Sequence, residues 1–334
     1  MTTTPQRRFG FKRWIVIGLI ILGGYLAFGV GGIFKPTAPA VVLPGEPIWP
    51  GSPITNTLLS TFVADAVLIA IAFFVVRGGH LIPSGFYNFF EWIVEIFWDM
   101  AESAAGKWAK RMFPVSATIF LLVFTANMIK LLPGFESIGY IEKAEGSIKG
   151  YEVKPLIGDS VVTLDGSREV AAGQGEGFTV VPFLRATATD LNFTFALAVA
   201  AVVMTQVFGF WALGVKYLGK FFNVGTMISK PLFGVIDFGV GLLELVSEFA
   251  KVLSFGFRLF GNIFAGALLL AILGALTAVI VPSALYGLEF FVGIIQAYVF
   301  SMLALTFMSQ ATVHHGGDHD EHSGGHEAEH AAAH

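Results

Sequence analysis

Arg258 stands alone in an apolar stretch: from Val252 to Val281 no other residue is charged, and no acid lies three or four positions from it. A guanidinium stays protonated, so on an apolar helix it needs a counter-charge from elsewhere. Glu289 of this chain is one candidate, and a carboxylate on a different subunit is another. Upstream, Glu244, Ser247, Lys251, Ser254, Arg258 and Asn262 are separated by threes and fours, which puts them on one continuous helical face. Asp237 and Glu248 share that segment, and Glu248 can pair locally with Lys251 to hold helices together. The last apolar segment adds Glu289 and Gln296. A face of this kind is a polar track through an apolar medium.

The elements that must carry this track are membrane spans. Hydrophobic residues make up 55% of the 334 and charged residues 13%, whereas soluble chains are about a quarter charged. There is no cysteine, which excludes disulfides, thiolate metal sites and a catalytic thiol. A bilayer core about 30 Å thick needs about 20 mostly apolar residues in helix. Segments at 14–34, 58–76, 114–132, 191–213, 231–281 and 284–312 qualify, giving an all-α polytopic protein of about six spans. The first follows Arg7, Arg8, Lys12 and Arg13 and is either an uncleaved anchor or a signal peptide ending near Ala38 and Ala40. Its length favours the anchor. Asp65 is the first charge inside a span.

Between the second and third spans, Glu91, Glu95, Asp99 and Glu102 form one stripe and Phe89, Phe90, Ile93, Ile96 and Phe97 the other, so residues 84–106 are an amphipathic helix lying at the interface. Basic residues at 107–111 and at Lys216, Lys220 and Lys230 mark the inner side. Residues 134–182 are a small outer β excursion, with Asp165-Gly166 as a hairpin signal. The 51 residues from Pro231 to Val281 hold no internal proline and would reach about 75 Å as helix, so this segment must be steeply tilted or bent. Pro282 and Ser283 are expected to form the turn into the final span. The chain thus divides into 1–40, 41–133, 134–182, 183–312 and a cytoplasmic tail, 313–334, with seven of the eight histidines at 314–334. The tail reads as a solvated segment.

Residues 254–266, Ser-Phe-Gly-Phe-Arg-Leu-Phe-Gly-Asn-Ile-Phe-Ala-Gly, resemble the signature of the a subunit of F-type ATP synthases. The likeness extends to Glu244-Leu-Val-Ser-Glu, Gln296-Ala-Tyr, Asn127-Met-Ile-Lys-Leu-Leu-Pro and Asp190-Leu-Asn-Phe-Thr, covering roughly residues 55–312. It implies an ion-translocating stator in the cell inner (plasma) membrane, set against a ring of c subunits and held by peripheral-stalk b subunits. In that family Arg258 is the essential gate between two proton half-channels. Asn262 and Gln296 flank it, Glu244 with Ser247 fits the inner path, Glu289 fits the outer path with Asp190 and Asn192 nearby, and Glu248 and Ser254 also belong to the proton path. The family's usual glutamate after Ala-Gly is Ala267 here, and Glu289 takes its usual histidine position on the last helix.

No nucleotide signature is present, so the chain is expected to bind no ATP, cofactor, metal or nucleic acid and to be no enzyme by itself. Two other readings use the same residues. A secondary transporter would enclose Arg258 in a cavity for an anionic substrate, and a scaffold subunit would pack Asp190, Glu244 and Glu289 dry.

Overall fold

The computed structural model describes residues 44–77, 86–132, 134–144, 150–157, 161–170, 177–221, 231–277 and 280–313. The first expected span at 14–34 and the His-rich tail lie outside the described residues. Six α-helices are present among them: α1 (Asn56–Arg77), α2 (Phe86–Ala105), α3 (Ala109–Ile129), α4 (Leu191–Leu213), α5 (Pro231–Thr277) and α6 (Ile280–Ala311). Among the described residues, five stretches are long and apolar enough to cross a membrane: Asn56–Val75, Phe90–Ile129, Leu191–Lys220, Phe238–Leu273 and Pro282–Ala311.

Helix α6 packs on α3, α4 and α5, and α4 on α5, with α1 against α3 and α2 against both α3 and α6. In lipid, apolar surface gains little by meeting other apolar surface, so association relies on small residues and interhelical hydrogen bonds. Both devices are present. Ala101, Ala105, Ala109, Ala198, Ala201, Ala297 and Ala304 are buried at the contacts, around Met112, Phe208, Leu259, Phe300 and Met308. Ser301 donates to the carbonyl of Ser116 at 2.6 Å, Asn127 to that of Gly293 at 3.2 Å and Ser309 to that of Ala104 at 2.6 Å. These bonds pin α6 to α3 and to the end of α2.

Helix α2 keeps its two faces apart as its pattern requires. Glu91, Glu95, Asp99 and Glu102 are exposed, while Phe97 and Ala101 are buried against the bundle; Ile96, at the edge of the apolar stripe, is exposed. Helix α3 begins at Ala109, five residues before the expected start, and Pro114 lies inside its first turns. As the sixth residue it lies past the N–H groups that have no intrahelical partner, so the Lys110 carbonyl loses its i→i−4 donor there.

Helix α5 is unbroken for 47 residues, about 70 Å at the α-helical rise. The expected turn at Pro282–Ser283 is not where the chain reverses. Helix α6 already starts at Ile280, so both residues sit in its first turn, where a missing proline N–H costs little because the first N–H groups of a helix have no intrahelical partner.

The excursion between α3 and α4 is a four-stranded antiparallel sheet of β1 (Gly139–Lys143), β2 (Gly150–Ile157), β3 (Val161–Val170) and β4 (Phe178–Pro182), in the order β1-β4-β2-β3. Asp165-Gly166 is not its hairpin turn. It lies inside β3, where the register jumps: Tyr151 faces Glu169 and Glu152 faces Asp165. The extra residues form a bulge, a second use of glycine in a strand. The sheet is tied to the bundle through the Asn56 amide, which donates to the Pro182 carbonyl at 3.2 Å, and through the Tyr140 hydroxyl on the Pro47 carbonyl.

Candidate functional site

Helix α5 sorts its polar residues onto two sides. Phe255, Leu259 and Ile263 are buried against α4 and α6, and Glu248 is buried on the same side. Ser247, Ser254 and Arg258 are exposed on the other, together with Ala250, Gly261 and Ala265. The exposed positions advance by threes and fours, so Arg258 projects from a strip of small side chains. Among the described residues Arg258 makes no ion pair. Glu289, the intrachain candidate, is paired with Lys130. Glu244, Lys251 and Asn262 flank the strip and are half-buried.

One turn beyond Arg258, the Asn262 amide donates to Gln296 Oε1 at 3.1 Å, joining α5 to α6. Gln296 is buried, and its Nε2 has no hydrogen-bond partner. Beyond this pair opens a cavity of about 210 Å³, lined by Lys130, Asn262, Gly266 and Glu289 with apolar neighbours such as Ile263 and Leu288. Lys130 Nζ lies 3.4 Å from Glu289 Oε1, both side chains nearly buried. That oxygen accepts no hydrogen bond. A Cβ at Gly266 would stand 2.7 Å from it, so glycine is what lets the carboxylate approach α5.

Toward the start of α5 a second cluster is fully partnered. Glu248 accepts from Lys251 Nζ at 2.8 Å, Lys220 Nζ at 3.1 Å and Gln206 Nε2 at 2.9 Å. Lys220 also reaches Glu244 at 2.7 Å, and the Tyr217 hydroxyl donates to Gln206 Oε1 at 2.7 Å. The local Glu248–Lys251 pairing expected from spacing is therefore present, within a larger network. Tyr217 enters it because the chain after α4 turns back as a short 3₁₀ segment, Gly214–Lys220, whose tyrosine ring covers Gly209.

Asp190, expected near the outer path, stands at the start of α4. It is the N-cap of α4: Oδ1 accepts from the Asn192 N–H at 2.8 Å and Oδ2 from the Thr57 hydroxyl at 2.7 Å. It is buried, while Asn192 is exposed, and neither lines the cavity. The residues that sequence reasoning left out of the site are Lys130, Lys220, Gln206 and Tyr217. All four act across helices, where spacing along the chain carries no signal.

The part of the chain that carries these sites matches a known family. Residues 58–309 match the model of the ATP synthase A chain. The "ATP synthase subunit a" of Mycobacterium bovis is 30% identical over 270 residues, covering 79% of this chain and 89% of that one. That of Mycobacterium ulcerans is 30% identical over 263 residues, 77% and 86% respectively. That of Moorella thermoacetica is 24% identical over 258 residues, 77% and 90%. With its stretch of apolar helices, the chain belongs to the ATP synthase A chain family and is a multi-pass membrane subunit of the ATP synthase complex.

Proposed function

We propose that the chain is the proton-translocating stator of a rotary ATP synthase, with Arg258 as the electrostatic gate toward a ring of c subunits and two offset access paths, one on either side of it. The carrying observation is the exposed Arg258 without an ion pair among the described residues. A bare guanidinium is costly in lipid, so its acid must come from a neighbouring chain. The strip of small residues at Ser247, Ala250, Ser254, Gly261 and Ala265 gives a partner helix close approach.

The sequence of events follows from charge. A ring carboxylate that has lost its proton is drawn to Arg258, and a protonated one is not. Arginine is suited to this because it does not titrate when desolvated, as lysine can. Asn262 and Gln296 lie between Arg258 and the cavity at Glu289, which serves as the outer path. Glu244 and Ser247, about three to four turns earlier on α5, lead to the inner side. Helix α5 is more than twice as long as the hydrocarbon is thick, so it lies strongly tilted in the membrane and lets one helix serve both paths. Peripheral-stalk b subunits hold the stator still, the sheet stands on the outer side, and the C-terminus is cytoplasmic.

In vesicles carrying the whole complex, Arg258→Ala is expected to abolish ATP-driven proton pumping. Pumping at the wild-type rate by that variant refutes the gate.

A further inference from the structure

We propose that Lys130 is a positioning residue that holds the Glu289 carboxylate in place as the proton carrier of the outer cavity and occupies the position a metal cation would otherwise take. The inference rests on the function proposed above and concerns which ion the path admits.

Lys130 caps the C-terminal end of α3. A lysine at a helix end beside the polar boundary has an easy route to water, because its long stem lets the ammonium snorkel outward. Here it does the reverse: the side chain is 6% exposed and its ammonium lies 3.4 Å from Glu289 Oε1. The carboxylate oxygen it meets has no hydrogen bond, so the contact is electrostatic and leaves lone pairs open. Gly266 completes the arrangement from α5, since a side chain there would displace the carboxylate.

Both charged groups line the same cavity as Asn262. At about 210 Å³ it holds several water molecules, at about 30 Å³ of liquid volume each. The other charged group acting on Glu289 is Glu136, in the turn after α3, and Glu289 in turn acts on the Tyr286 hydroxyl of α6. Glu136 is itself held by the Ala186 N–H at 2.9 Å.

In this geometry a proton and a metal cation are treated differently. A hydronium on the outer side gives its proton to a Glu289 oxygen, forming an O–H bond and leaving water. The O–H then gives its proton to a water on the Asn262 side, and the carboxylate is restored to Lys130. A sodium ion needs several oxygen ligands around it, and the side of the carboxylate facing Lys130 is already filled by an ammonium that repels it.

The test uses the intact complex in vesicles and reads ATP-driven proton pumping at trace sodium and at about 0.1 M sodium, with choline replacing sodium at constant ionic strength. Wild type and Lys130→Arg are expected to pump equally in both. Lys130→Gln is expected to lose at least about threefold of its rate when sodium is added, because the emptied position now accepts the cation. A Lys130→Gln complex indifferent to sodium overturns the proposal. If that variant does not assemble, Lys130→His gives the same comparison in one assembled complex. It is expected to ignore sodium at acid pH, where the imidazolium is charged, and to become sodium-sensitive at alkaline pH, where it is neutral. Indifference at both overturns the proposal. All these variants keep Arg258, so failure of the gate itself is read separately, from Arg258→Ala.

Discussion

Glu248 is the residue whose loss can be worked out most directly. Its carboxylate accepts two ammonium contacts, from Lys251 at 2.8 Å and Lys220 at 3.1 Å, and one amide bond from Gln206 at 2.9 Å. Hydrogen bonds to charged groups are each worth about 1.5–3 kcal/mol, and removing one buried partner strands the other. The full sum overstates the effect. The Lys220 side chain is 28% exposed and keeps Glu244 at 2.7 Å, so only Lys251 loses its acid. Lys251 is 19% exposed and lies 5.0 Å from the centre of the Phe307 ring, both of which soften the loss. Glu248→Gln is therefore expected to cost about 2–3 kcal/mol, read as a shift in equilibrium unfolding in mixed detergent micelles. In double-mutant cycles its coupling to Lys251→Met should be about 1–2 kcal/mol and exceed that to Lys220→Met. Because Glu248 is tied into the scaffold, pumping per assembled Glu248→Gln complex should stay within about twofold of wild type. A coupling to Lys251 below about 0.5 kcal/mol would refute the network.

Other perturbations follow from the same geometry. Gly266→Ala places a methyl against Glu289 Oε1, so the assembled variant should pump at least about tenfold more slowly, a loss of about 1.4 kcal/mol in the barrier; an unchanged rate would mean the carboxylate need not approach α5. Thr57→Val removes the hydroxyl that donates to buried Asp190 and should destabilise the complex by about 1–3 kcal/mol in the same micelle titration, with pumping per complex retained. Glu46, outside the spans, has its carboxyl pushed above 4.5 by burial, with Glu142 adding to the rise and Arg185 and Asn56 opposing it. The folded segment then binds the proton more tightly than the unfolded one, so its stability is full below pH 4.5 and falls as pH rises through the folded value. Amide exchange in residues 44–55, corrected for the intrinsic pH dependence, should show opening favoured on the alkaline side, and Glu46→Gln should flatten that trend.

The helices were legible because their signal is local. Residues 191–213 were bounded from apolar length alone, and α4 has those ends. The acidic stripe of α2 followed from the helical period, and its four acids are exposed. The isolation of Arg258 could be read because it depends on what is missing nearby in sequence. The reversals of chain direction were less legible, since proline and Asp-Gly each have two structural uses. Pro282 sits inside the first turn of a helix and Asp165-Gly166 in a bulge. Pairings across helices were not legible at all. Nothing in the spacing of Lys130 and Glu289, or of Lys220 and Glu244, distinguishes the partner that is met from others equally distant along the chain.

Such pairings decide which charges in the bundle remain free. A membrane protein that buries both acids and bases lowers its cost by matching them, and here Glu248, Glu244 and Glu289 all have lysines. The exposed arginine has not been matched by any of them. Internal pairing as the general rule would give Arg258 the one intrachain acid that the sequence offers it, Glu289, but that acid sits opposite Gly266, about two turns further along α5. Instead Lys130, drawn in from the end of α3, holds that carboxylate. The lysine thus has an effect beyond its own contact: by occupying the nearest free acid of the outer cavity, it keeps the guanidinium available to a carboxylate that arrives from another chain.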